Sequence, residues 1–157
     1  VGRGNHMERA RSHILRRGRF SSPGSMYLLT TVTNNRKQLF SNFWLARAVV
    51  QQLRQAEREL ACKSLAWVVM PDHVHWLIQL NDSTLSSLMR RFKSRSSHAL
   101  YQQGMKREKV WQAGYQDHAL RQEEDVRKIA RYVICNPLRA GLAKKIGDYP
   151  HWDAAWL

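Results

Sequence analysis

Two histidines two residues apart, His73 and His75, stand in the segment Met70-Pro71-Asp72-His73-Val74-His75. In an extended strand, side chains alternate between faces. The two imidazoles therefore project together, while Val74, Trp76 and Ile78 take the opposite, core-facing side. Two imidazoles on one pleat can share a divalent cation and leave coordination positions open for a substrate oxygen. The spacing is also common by chance, and a structural or solvated pair fits it as well.

A second constellation is Tyr132-Val133-Ile134-Cys135-Asn136-Pro137. Tyr132 and Asn136 are four apart, so on a helix they share a face. A tyrosine can attack a phosphodiester, but a phenol with a pKa of about 10 is a weak nucleophile at neutral pH. It needs a cation or base beside it, and Asn136 has a side-chain oxygen to offer such a cation. The alternatives are a core-packing Tyr132 and an Asn136-Pro137 pair that merely ends a helix. In the segment 111–118, Trp111 is expected to pack against the sheet. Tyr115 is a rival nucleophile, and His118 is either a structural histidine or an extra ligand.

The charge balance narrows the substrate. Lys and Arg number 26 and Asp and Glu 12, a formal net charge of +14 at pH 7. Such an excess favours a polyanion, because each cation that meets a phosphate releases condensed counterions. The expected phosphate contacts are Arg90, Arg91, Lys93 and Arg95, then Arg121, Arg127, Lys128, Arg131 and Arg139, together with a basic arm at the N-terminus. No apolar run is long enough for a transmembrane helix, and no signal-peptide pattern appears. Cys62 and Cys135 are too few for a disulfide framework and suit a reducing cytoplasm.

The elements that must position these groups follow from periodicity. Residues 1–22 read as a vector remnant followed by a mobile basic arm, leaving 23–157 as one domain. Strands are predicted over 26–33, 65–70 and 74–80, the last two forming a hairpin through Pro71-Asp72, with a short edge strand over 117–121. Helices are predicted over 42–60, with Asn42 as its cap, over 84–102, and over 123–135. The order strand, helix, strand, strand, helix, strand, helix implies an α+β fold, one antiparallel sheet packed with helices.

These segments together resemble a known family. Pro23-Gly24, Met70-Pro71-Asp72-His73-Val74-His75, the run from Trp111 to His118, and Tyr132 to Leu142 (YVICNPLRAGL) are similar to the single-tyrosine HUH transposases, most of all their REP-associated branch. The similarity spans roughly residues 23–150, and the paired motifs are far more specific than either alone. It implies the ferredoxin-like HUH endonuclease fold. It further implies His73, His75 and Asn136 around Mg2+ or Mn2+, and Tyr132 as a nucleophile that cuts single-stranded DNA and leaves a 5′-phosphotyrosine. The implied partners are single-stranded and hairpin DNA in a bacterial cytoplasm, at the nucleoid when bound, with the protein a monomer or a homodimer. The tail Pro150-His151-Trp152 departs from the pattern by lacking a serine pair. Charge and aromatics alone also suit a non-catalytic module for structured DNA or RNA. A metal hydrolase of small phosphoesters fits less well, since its substrate needs no such charge excess.

Overall fold

The structure, a computed structural model, describes residues 24–121 and 124–156. The arm expected over 1–22 lies outside these residues, as does Pro23 of the family motif. Among the described residues no helix is long and apolar enough to cross a membrane.

Three strands form the centre of the sheet: β1 (Met26–Val32), β2 (Cys62–Val69) and β3 (His73–Leu80). β1 alternates half-buried and buried side chains, as a strand covered differently on its two faces must. β2 and β3 make the expected hairpin, closed where Met70 N–H donates to His73 O at 2.8 Å. Edge strands β4 (Gln116–Ala119) and β5 (Trp152–Ala154) complete the antiparallel order β4-β1-β3-β2-β5. The first four strands give the expected ferredoxin-like arrangement, in which β1 and β3 are each followed by a helical crossover. β5 is additional. It is only three residues long and has no alternation to read, and its place is fixed by backbone bonds from Val69 N–H to His151 O and from Ala155 N–H to Leu65 O.

Helices α1 (Phe43–Arg58) and α2 (Leu85–Gln102) pack on one face. Their starts were legible: Asn42 accepts from the N–H groups of Trp44 and Leu45, and Thr84 from that of Ser87. Beneath them lies an aromatic core of Phe40, Trp76, Phe92 and Trp111, with neighbouring ring centroids 5.3–5.8 Å apart. Helix α3 (Val126–Ile134) and the short α4 (Asn136–Arg139) belong to the other face. There Ala130, Val133 and Ile134 pack on Ala66, Val68, Met70 and Leu77. The predicted third helix of 123–135 is shorter because Asp125 is its cap, accepting from Arg127 N–H and Lys128 N–H.

Candidate active site

Both histidines sit at the start of β3 on the α3 side of the sheet, while Val74, Trp76 and Ile78 point into the aromatic core as expected. Their ring centroids are 4.8 Å apart and nearly perpendicular. Each ring is held through Nδ1. His73 Nδ1–H donates to Asp72 Oδ1 at 2.7 Å. Burial alone would raise the Asp72 pKa, but the His73 bond and Arg36, 3.4 Å away, hold it below the usual carboxylate value. His75 Nδ1 meets Thr30 Oγ1 at 2.9 Å, because the β1–β3 register sets Thr30 opposite His75. Donation of Nδ1–H to the Asp72 carboxylate leaves the His73 Nε2 lone pair free, and His75 has the same tautomer when Thr30 Oγ1 accepts, the state a metal-binding imidazole needs. Burial, then the charges of His73 and Arg139, push the His75 pKa down to about 4, so this ring is neutral near pH 7.

The tyrosine helix ends on this pair. Asn136 begins α4, and its side-chain amide lies 3.5 Å from His73 Nε2. Which amide atom faces the ring is set by what both bind, and the oxygen is the ligand if a cation lies between them. Tyr132 is 55% exposed although Val133 and Ile134 beside it are buried. That excludes the core-packing role, since a phenol filling the core would be covered as its neighbours are. Arg139 lies over the Tyr132 ring, 3.9 Å from guanidinium carbon to centroid, and donates to the Tyr132 carbonyl at 2.5 Å. The same guanidinium acts on His75 electrostatically, so one cation links phenol and histidine pair.

Of the other candidates, Tyr115 packs against the α1–α2 core with its hydroxyl buried, on the face away from the histidines. His118 bonds Glu124 at 3.1 Å. Trp111 is core, its Nε1–H donating to Ser96 Oγ at 3.0 Å. Among the described residues no three His, Cys, Asp or Glu side chains gather to hold a metal. A cation here would rest on two imidazoles and the Asn136 amide and would take its remaining oxygens from substrate and water. That donor set fits a divalent ion in a site left open for a phosphate.

The basic residues divide between layers. Arg90, Arg91, Lys93 and Arg95 lie on α2, behind the sheet. Arg91 and Arg95 pair with Glu59, and Lys93 donates to the carbonyls of Gln112 and Gly114, so these four do not converge on the histidines. Arg127, Lys128 and Arg131 are exposed on α3 beside Tyr132, and Arg121 is exposed after β4. Sequence reasoning missed the work of Asp72, Thr30 and Arg139. Asp72 was in plain view next to His73, but Thr30 needs the strand register. Arg139 looked like one more surface cation.

The chain matches the sequence family described as Transposase IS200 like over residues 21–136. It is 31% identical over 140 residues to the REP-associated tyrosine transposase of Escherichia coli K12, covering 84% of this chain and 79% of that protein. A solved structure of a REP-associated tyrosine transposase bound to a REP hairpin superposes with a TM-score of 0.67 at 29% identity, covering 85% of this chain and 79% of the other. A proposed transposase from Deinococcus radiodurans shares the fold, with a TM-score of 0.55 at 21% identity over 69% of this chain and 87% of its own.

Proposed function

The chain belongs to the IS200-like transposases, in their REP-associated tyrosine branch, and from that premise we propose that it cuts and rejoins single-stranded DNA at hairpin-forming repeats through Tyr132. The observation that carries this reading is the docking of the end of the tyrosine helix on the histidine pair, with the Asn136 amide 3.5 Å from His73 Nε2.

In this reading the exposed phenol oxygen of Tyr132 attacks the scissile phosphorus. A tyrosyl ester to the 5′ side forms as the bond to the 3′ oxygen breaks. The phenol's proton passes to solvent, and the departing oxygen takes one up as a 3′-hydroxyl. Attack by the 3′-hydroxyl of another strand reverses the step, because the ester keeps the bond energy of the phosphodiester. Asp72 and Thr30 fix the two rings so that their Nε2 atoms stay available. Arg139 holds the phenol ring and adds positive charge where negative charge develops. Held by His73, His75 and Asn136, a divalent cation would polarise a non-bridging phosphate oxygen. Arg127, Lys128 and Arg131 then meet flanking phosphates.

The test is a denaturing gel with end-labelled hairpin DNA carrying an unpaired flank, in buffer containing Mn2+ or Mg2+. Replacing His73 and His75 together by alanine is expected to lower cleavage by at least about 100-fold while hairpin binding stays. Unchanged cleavage dismisses the histidine site.

A further inference from the structure

Helix α1 carries a stripe, exposed except at the half-buried Arg47, that the mechanism above does not use. Trp44, Arg47, Gln51, Arg54 and Arg58 recur at three- and four-residue spacing and so share one side of the helix. From Trp44 to Arg58 the stripe runs about 21 Å along the axis. At its head the Trp44 indole is 67% exposed. Phe43 meets it edge-on at 5.0 Å and rests in turn on the buried His151 at 5.2 Å. This end of the helix lies beside the hairpin that carries the histidine pair: Phe40 N–H donates to Pro71 O, and Val69 N–H to His151 O.

Among the described residues the cations of the stripe, Arg47, Arg54 and Arg58, have no carboxylate partner. Glu57 accepts from Ser64 N–H at 3.1 Å, and Glu59 is taken by Arg91 and Arg95. Arg47 donates instead to the Pro150 carbonyl at 3.1 Å, and Arg54 lies 6.0 Å over the Trp67 ring. Burial, then the charge of Arg54, hold the Arg47 pKa below its ordinary value. A line of uncompensated cations headed by an open aromatic face suits a polyanion whose bases are free to stack. A fully stacked duplex has no base to give Trp44.

Resting on the DNA reading above, we propose that this stripe binds an unpaired stretch of DNA continuous with the strand offered to Tyr132. One base stacks on Trp44, and the phosphates beyond it lie on Arg47, Arg54 and Arg58.

The test measures binding alone, using the full chain with Tyr132→Phe so that no cutting intervenes. Two fluorescent probes are compared: a blunt DNA hairpin, and the same hairpin with an unpaired flank of about six nucleotides. Trp44→Ala is expected to weaken the flanked probe about tenfold and to leave the blunt one within about twofold, with Trp44→Phe restoring most of the loss. Changing Arg47, Arg54 and Arg58 together to Gln should reduce the log–log salt slope by about two for the flanked probe only. Equal losses on both probes, or none on the flanked probe, overturn the proposal. So does a shift of Trp44→Ala to a smaller sedimenting species with DNA affinity unchanged, which would give the patch to a second copy of the chain. If the Tyr132→Phe protein binds neither probe, the DNA reading itself fails.

Discussion

The α1–α2 layer and the α3–α4 layer cover the same sheet with different materials. Under α1 and α2 the sheet contributes Val74, Trp76 and Ile78 to a core rich in aromatic rings, in which the Trp111 indole N–H is matched by Ser96. Under α3 the buried apolar side chains are aliphatic and fewer, with the Tyr149 and Trp152 rings at their margin, and towards the start of β3 they give way to Asp72, His73, His75, Thr30 and Asn136. Residues of one strand, alternating by one position, thus build the core on one side and the proposed site on the other. The layer with the thinner core leaves Tyr132 exposed beneath the Arg139 guanidinium.

Breaking each layer in turn should separate the two roles. The largest effect belongs to the aromatic side. Trp76→Ala is expected to lower unfolding free energy by about 3–5 kcal/mol in a urea titration, since a buried ring vanishes and the core cannot close over it. Conversely, Arg139→Gln should leave the urea midpoint nearly unchanged and slow single-turnover DNA cleavage about tenfold, with Arg139→Lys falling between. A stability loss without a rate loss would make Arg139 a mere helix-end contact.

The smallest effect is a pH dependence that sits between the layers, on the tail. Burial, then Arg47, push the His151 pKa down to about 4, and the Phe43 and Tyr149 rings face its imidazole. The unfolded chain protonates this residue near its ordinary value and the folded chain only near 4. Below about 6.5 the unfolded state therefore binds the extra proton, and stability falls as pH drops towards 4. Thermal or urea midpoints should show this slope, at most about 1.4 kcal/mol per pH unit, and His151→Phe should remove its share. An unaltered slope would assign the effect to other groups.

Much of this division could be read from the chain. The β3 alternation told which side chains share a face with the histidines, Asn42 announced the first long helix, and apolar spacing gave the second. Tyr132 and Asn136 were singled out by spacing and family likeness. What stayed hidden depended on partners far away in sequence. Thr30 meets His75 only through strand register, and β5 is a strand only because β2 has a free edge. The cations of α2 looked like those of α3 because charge carries no information about which side of the sheet a helix covers. Arg139 was counted as surface for the same reason, since α3 and α4 had to be placed before it could be seen above Tyr132.

The measurement nearest the central claim is the identity of the residue that becomes joined to DNA. After incubation with a flanked hairpin and Mn2+, digestion and mass spectrometry should find the nucleotide adduct on the peptide containing Tyr132, and Tyr132→Phe should bind the hairpin yet form no adduct. An adduct on Tyr115 or any other residue, or one that persists in Tyr132→Phe, would contradict the account.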